Sequence, residues 1–403
     1  MGHNCTVNET DTTFSGNDAL SREEEEQRRI PLLSWRLVTA IAALLAIVAI
    51  LFLVPVPFVV SSPGPTFNVL GSADGKPMIQ IEGTDPTTGE EVQLDAPQSA
   101  PVTGRAKAGS GQLRMVTVSE SGGPGNRLNF AQLLLAYADP HSKIVDYDSL
   151  YPAGTTRNQV SDAQSAMMRN SQTTSQVAAL EYLGWDVPAT VTIEGATEGS
   201  NAEGSVQQGD ILRAITTPDG TRHDITHAST PFTLMRTVPA GSHMTITVER
   251  EGVEHTLSFD SIAASANQPG SKLGIYLSVD PDLPVDISFN LEGVGGPSAG
   301  MMFSLGIIDR LTPGDMTGSN AIAGTGTMSF DGQVGAIGGI QQKMWGAHDD
   351  GAQWFLAPRE NCNEVVGHVP DGLHVVAVST LSEAATAVET IAQGGGESLP
   401  TCQ

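Results

Sequence analysis

The sequence predicts an α/β (α+β) fold that is interrupted by a β-rich module and preceded by one transmembrane helix. Three observations carry that expectation. Leu37 to Val54 reads LVTAIAALLAIVAILFLV, without a charged residue. Ala189 to Phe259 is a succession of short β-prone runs (VTI, ILRAI, MTITVER, HTLSF) broken by Gly, Asp and Asn turns. From Ser298 onward, strand-like and helix-like segments alternate.

As a helix the apolar run would span roughly 27 Å, against a hydrocarbon core of ~30 Å. The polar segment before it is too long for the start of a cleaved signal peptide, and no A-x-A-like site follows. Arg22, Arg28, Arg29 and Arg36 precede the run, whereas the first basic residue after it is Lys76. The positive-inside bias therefore puts the N-terminus in the cytoplasm and residues 61 onward outside a cell membrane crossed once. Residues 1–36 are expected to be a disordered cytoplasmic tail, with Glu23 to Glu26 a solvated charge run, and 37–60 the spanning helix with its exit.

A chain of 403 residues with 39% hydrophobic content has room for two or three domains. Its 45 acidic against 20 basic residues give a net charge of −25, which repels a phosphate backbone, so no nucleic-acid partner is expected. The sequence has neither H-E-x-x-H nor a cysteine cluster, and neither a metal nor another cofactor is expected. Of the three cysteines, Cys5 falls in the tail. Cys362 and Cys402 are left as an even pair in an oxidising compartment, where a disulfide is predicted.

Beyond the helix, Pro55, Pro57, Pro63 and Pro65 with Gly64 read as a stiff linker, because proline cannot continue a helix or a ladder. Lys76 to Gly104 is polar, with Met78 to Ile81 as one strand, and Leu113 to Val118 is a second. Apolar or small residues at Ala163, Met167, Val177, Leu180 and Leu183 predict a helix from Val160 to Leu183, stopped by Gly184. Leu273 to Leu277 and Val285 to Leu291 are strand-like and lead into the turn Gly293, Gly295, Gly296. A helix follows with Pro297 at its opening and Met301, Met302, Leu305 and Ile308 on one face. Three strands (AIAGTGTM, WFLAP, HVVAV) and two helices (Ile340 to Asp349, Leu381 to Ala392) complete the pattern, and there is no internal repeat.

Ser298 stands where the glycine turn meets that helix. Small neighbours such as Gly296 let a substrate backbone approach, and N–H groups of the first helical turn can receive a developing oxyanion. A serine before a helix is also an ordinary N-cap. Lys343 is the only lysine after Ser298 and lies in a stretch otherwise uncharged from Gln333 to His348. A lysine acting as a base at neutral pH needs its pKa lowered from ~10.4 by about three units, and burial away from carboxylates shifts it in that direction. A solvated surface lysine is the plain alternative.

GGPSAGM followed by TGTMSFDGQVGAIGGIQQK resembles the proteolytic domain of Lon-type serine proteases from about Gly293 to Pro358, with both motifs in order and at matching spacing. The resemblance implies Ser298 as nucleophile, Lys343 as general base and Thr325 as the threonine supporting the lysine, with Gly296 and Pro297 in the supporting turn. Thr327 departs from the glutamate of classical Lon enzymes, so that acid's role does not carry over. GQLRMVTV (Gly111 to Val118) and SAMMRNSQTTSQVAALEYLG (Ser165 to Gly184) are similar to the strand and long helix that open such a domain. EGATEGSNAEGSVQQGDILRAI resembles bacterial PDZ domains, which bind extended peptides by strand addition. Leu183 and Gly184 are the candidates for its carboxylate-binding loop.

These resemblances imply an extracytoplasmic segment at 61–186 forming the first part of the Lon-type domain, a PDZ-like domain at 187–262, and the catalytic part at 263–403. The combination resembles the PDZ-containing membrane proteases of Gram-positive bacteria. It implies an endopeptidase acting on unfolded or flexible protein and peptide segments, and a homo-oligomer, since Lon-type domains commonly form rings. No G-x-x-x-x-G-K-[ST] occurs, so hydrolysis is expected to need no ATP.

Two other readings compete. GPSAG satisfies the G-x-S-x-G elbow of α/β-hydrolase esterases, with His348, His368 or His374 as the base, but that fold needs several parallel strands ahead of the serine. A membrane-tethered PDZ adaptor with an inactive protease fold is the other, and the presence of Ser298, Lys343 and Thr325 together argues against it.

Overall fold

The structure is a computed structural model; it describes residues 32–73, 75–94, 111–264 and 268–402. The tail expected at 1–36 lies outside the described residues up to position 31, and Cys5 with it. The chain divides into two compact units.

The smaller unit runs to Val56 and takes up Leu128–Leu135. Its helix α1 (Leu32–Leu53) starts earlier than the apolar run and stops ahead of Pro55, whose ring cannot continue the ladder. Trp35–Leu53 has a mean hydropathy of 2.6 and fits a membrane span or a signal sequence. Val56 N–H donates to the Leu128 carbonyl at 2.8 Å and Pro55 bridges to Asn129, where helix α2 (Phe130–Ala138) begins. The last turn of α2 falls in the larger unit.

In chain order, the larger unit starts with β1 (Phe58–Asn68), β2 (Ile79–Thr84), β3 (Glu91–Leu94), β4 (Gln112–Ser121), β5 (Lys143–Asp146) and the long helix α3 (Arg157–Tyr182). There follow β6 (Ala189–Ala196), β7 (Asp210–Thr216), β8 (Arg222–Asp224), α4 (Ser229–Met235), β9 (His243–Arg250), β10 (Val253–Asp260) and β11 (Ile275–Pro281). The rest comprises β12 (Val285–Phe289), α5 (Gly300–Leu311), β13 (Ala321–Gly324), the hairpin β14 (Thr327–Met328) and β15 (Val334–Gly335), α6 (Ile340–Asp349), β16 (Trp354–Pro358), β17 (His374–Val378) and α7 (Leu381–Ala392).

A six-stranded sheet in the order β17-β16-β13-β4-β1-β5 organises the unit, with β4, β13, β16 and β17 parallel and β1 antiparallel to both neighbours. The two-residue period of its strands sorts side chains to opposite faces. Leu113, Met115, Ile322, Leu356 and Val376 join the core with residues of α3, α5 and α7. Val116, Ala323, Phe355, Ala357 and Val375 join the one with Ile340, Met344 and Ala347 of α6. The sheet thus lies between α6 and the layer of α3, α5 and α7. Cys362 and Cys402 are joined by a disulfide.

A second sheet, β10-β9-β7-β6-β11 with β8 on β7, is antiparallel throughout and has a separate core around Ile193, Leu212, Ile215, Met244, Ile246 and Phe259. It follows α3 and precedes α5, so it is inserted between elements that serve the first sheet. A smaller antiparallel sheet joins β12, β2 and β3.

Several expectations need correction. The proline-rich stretch is not a linker: residues from Phe58 form β1, and the prolines are accommodated because the register with β4 shifts between Pro63 and Thr66. The β-rich module does not end at 262, because β11 pairs along β6 from Ile275↔Ala196 to Pro281↔Ala189. Pro297 does not open α5, which starts at Gly300. Leu183 and Gly184 form no carboxylate loop; their N–H groups donate to Ala179 and Glu181 carbonyls and close α3, with Gly184 at φ +81°.

Candidate active site

The site is assembled at the C-terminal end of β13, where the chain leaves the sheet between α5 on one face and α6 on the other. Thr325, the next residue, donates its backbone N–H to Leu356 O of the adjacent strand β16 at 3.1 Å and is fully buried. Its hydroxyl donates to the Ser298 carbonyl at 3.0 Å. The Lys343 amine donates to the same hydroxyl oxygen at 3.4 Å. Thr325 therefore links the serine turn to the lysine. Among the described residues, no direct hydrogen bond joins the Ser298 and Lys343 side chains.

The turn carrying Ser298 is held by its backbone. Gly326 N–H donates to Ser298 O at 2.9 Å, and Met301 N–H donates back to Gly326 O at 3.1 Å. With the Ser298 carbonyl occupied by Gly326 and Thr325, the helical ladder starts one residue later, at the Ala299 carbonyl, which accepts from Phe303 N–H. This is why Pro297 and Ser298 lie ahead of α5 in a turn, leaving Ser298 half-buried. Gly296, at φ +89°, donates its N–H to Gln164 O of α3.

Two serines of α3 that the sequence reading passed over fix the turn from behind. Ser171 Oγ donates to Pro297 O at 3.1 Å, and Ser175 Oγ donates to Gly300 O at 3.0 Å. Their four-residue spacing on a helix was the available signal, since it places both on one face. Glycine is required at two contacts. A Cβ on Gly300 would lie 2.9 Å from Met328 Cβ and backbone N, and one on Gly326 would lie 2.6 Å from Val334 Cγ1.

Lys343 sits in the first half of α6, which begins after Gly339 in the left-handed region at φ +70°. Only 3% of it is exposed. Burial is what brings its amine from the usual 10.5 down to about 8, since the charged form loses its hydration. None of the histidines that would serve a hydrolase bonds Ser298 among the described residues: His348 pairs with Asp349, His368 with the Val366 carbonyl and His374 with Glu397. The strand before the serine turn, β12, lies in an antiparallel sheet, unlike the parallel strand of a hydrolase elbow.

A crevice of about 1030 Å³ lies between α4 with β11 and the hairpin that follows Gly326. Phe232, Met235, Leu273, Gly274 and Tyr276 line one wall, and Thr327, Met328, Val334 and Gly335 the other. Arg236 bonds Asp331 at 2.5 Å across its end.

Residues 290–390 match the family model of the Lon protease (S16) C-terminal proteolytic domain. The chain is 35% identical over 103 residues to Lon protease 2 of Bacillus subtilis, covering 24% of this chain and 18% of that relative. It is 34% identical over 105 residues to the Lon protease of Clostridioides difficile (25% and 13%), and 35% identical over 117 residues to that of Haemophilus influenzae (28% and 14%). The chain thus spans less than a fifth of the length of these relatives. Among solved structures, the PDZ domain of an SdrC-like protein from Listeria monocytogenes is similar to 22% of this chain over 85% of its own length, at 13% identity and a TM-score of 0.19, too low to bear on the assignment. Residues 290–390 are thus similar to the C-terminal proteolytic domain of the Lon-type (S16) serine proteases.

Proposed function

We propose that the protein is a membrane-anchored serine endopeptidase in which Ser298 is the nucleophile and Lys343 the general base. The observation that carries this reading is the buried amine of Lys343, bound to Thr325, whose hydroxyl bonds the carbonyl of Ser298. An amine brought to about 8 is neutral in roughly a tenth of molecules at pH 7. In that form it accepts the Ser298 proton as Oγ attacks the peptide carbonyl carbon. The C–N bond then breaks, the ammonium returns the proton to the leaving amine, and water hydrolyses the acyl ester. The amides of Ser298 and Ala299, for which the described residues offer no backbone acceptor, are the candidates to bind the oxyanion. Substrate binding is expected to shorten the serine–lysine separation, as catalytic hydrogen bonds often tighten only in the complex.

The antiparallel module recruits extended protein segments. Support comes from β11, which among the described residues is the unpaired edge of its sheet and lines the crevice beside α4, as strand addition requires. Substrates are unfolded or flexible chains, and hydrolysis needs no ATP, since the sequence holds no phosphate-cradling loop motif. The apolar helix α1 anchors the protein in the cell membrane with residues 61 onward outside, as the arginines ahead of it favour.

The test is hydrolysis of an unfolded protein by the full chain in vesicles, with and without ATP. Ser298→Ala and Lys343→Ala are each expected to abolish it, and ATP to leave it unchanged. Retained cleavage by Lys343→Ala would overturn the assignment of the base. Phe232→Glu, within the crevice, is expected to reduce cleavage of proteins and to spare a short chromogenic peptide; equal effects on both would remove the recruiting role.

A further inference from the structure

Helix α2 presents an apolar surface that no other part of the described residues covers. Phe130, Leu134, Leu135 and Tyr137 are exposed by 41, 51, 73 and 83%, and Ala131, Gln132, Leu133, the buried Ala136 and Ala138 complete the helix without a charge. A nine-residue helix of a water-facing domain ordinarily sets charged groups outward. Here the charges stand outside the helix, at Arg127 and Asp139. The helix is well formed locally: Asn129 and Gln132 cap it reciprocally, each backbone N–H donating to the other's side-chain oxygen at 3.0 and 2.9 Å.

The position of α2 indicates what covers it. The hydrogen bond from Val56 N–H to Leu128 O and the bridge between Pro55 and Asn129 tie the start of α2 to the residues that directly follow α1, whose apolar stretch Trp35–Leu53 holds no buried residue. Two uncovered apolar helices are thus joined by backbone bonds at the point where α1 ends. At ~1.5 Å per residue α2 is about 13 Å long, too short to cross a bilayer and suited to lying in its surface. Aromatic side chains such as Phe130 and Tyr137 belong in that zone, where one end of the ring meets lipid and the other water.

We propose that α2 is an interfacial membrane helix, embedded in the outer leaflet beside the exit of α1 and acting as a second contact with the lipid. The inference rests on the anchoring role given to α1, and the test separates the two. Full-length protein with Cys5→Ser is reconstituted into vesicles of phosphatidylcholine and phosphatidylglycerol, and a nitroxide is attached at Leu135→Cys, Ile47→Cys or Val253→Cys, the last at the exposed start of β10. Collision with oxygen reports lipid and collision with a water-soluble nickel chelate reports solvent. The expected result is a lipid-like ratio at 47, an interfacial one severalfold above that of 253 at 135, and an aqueous one at 253. A lipid-like 47 with an aqueous 135 would overturn the proposal while leaving the anchor standing. A label at 135 shielded from both reagents, and still shielded in detergent, would show a protein partner instead and overturn it as well. An aqueous 47 would remove the anchor and this inference together.

Discussion

The Lys343 amine donates to Thr325 Oγ1 at 3.4 Å, and this threonine is the only hydrogen-bonding side chain the described residues offer it. Because the same hydroxyl donates to the Ser298 carbonyl, one small side chain sets the position of both proposed reactive residues. Thr325→Val keeps the shape and removes both bonds. It is expected to lower kcat by about 10–100-fold, the scale of a lost positioning contact, with little change in KM. Thr325→Ser should keep most of the activity. Steady-state kinetics on a chromogenic peptide measures both, and equal losses in the two variants would point to packing rather than hydrogen bonding.

Burial of Lys343 makes activity depend on pH in a defined direction. With the amine at about 8, kcat/KM should rise tenfold per pH unit below that value and level off above it. Lys343→Arg cannot supply a neutral base in this range and should be inactive. The same burial has a stability consequence. The folded-state pKa lies below the unfolded one, so stability rises with pH between about 8 and 10.5, and below 8 the cost of the buried ammonium is fully present. Lys343→Met is therefore expected to be inactive yet to melt at a higher temperature than the parent at pH 7, by calorimetry.

Gly300→Ala tests the close contact behind the serine turn. The new Cβ would meet Met328 backbone N at 2.9 Å, so either the first turn of α5 or strand β14 must move. Met301 of that turn donates to Gly326, which directly precedes β14, so either movement disturbs the hold on the serine turn, and displacements of this size cost far more in rate than in folding. The expected outcome is a loss of about 100-fold in kcat/KM, with a melting temperature only a few degrees lower.

The helices α6 and α7 were legible to the residue, because each is a continuous amphipathic run whose ends coincide with turn residues. Strand β1 was not legible: Pro63 and Pro65 argue against a strand in any local reading, and only the irregular pairing with β4 accommodates them. Strand β11 is legible as a strand, but its place in the antiparallel module is not, since its partner β6 lies some eighty residues earlier and no local pattern records that pairing. At the site, Ser298, Thr325 and Lys343 could be named from their motifs. The bonds from Gly326, Ser171 and Ser175 could not, because they depend on how far α3 and β13 lie from the serine turn in space.

The disulfide between Cys362 and Cys402 closes a loop with a sequence separation of 40 that contains β17 and α7. Loop-closure entropy for that length corresponds to about 4 kcal/mol of stability. Cys362→Ser with Cys402→Ser, or reduction of the parent, should lower the unfolding midpoint in denaturant accordingly, with the activity of the folded fraction unchanged.

Asp309, in the last turn of α5, is 2% exposed, and burial raises its carboxyl to about 6. Its Oδ1 accepts from Met316 N–H at 2.9 Å, which orders the loop leading to β13. The folded-state pKa lies above the unfolded one, so the folded protein holds a proton that the unfolded chain releases between about 4 and 6. Stability conferred by that proton is lost as pH rises through this window, and above 6 the buried carboxylate is a full cost. Asp309→Asn keeps the oxygen that accepts from Met316 and removes the charge. It is expected to be more stable than the parent by roughly 2–3 kcal/mol at pH 7.5, and to match it near pH 4. Denaturant unfolding at the two pH values measures the difference; an Asn variant less stable at pH 7.5 would mean that the carboxylate has a stabilising cationic partner in the folded chain.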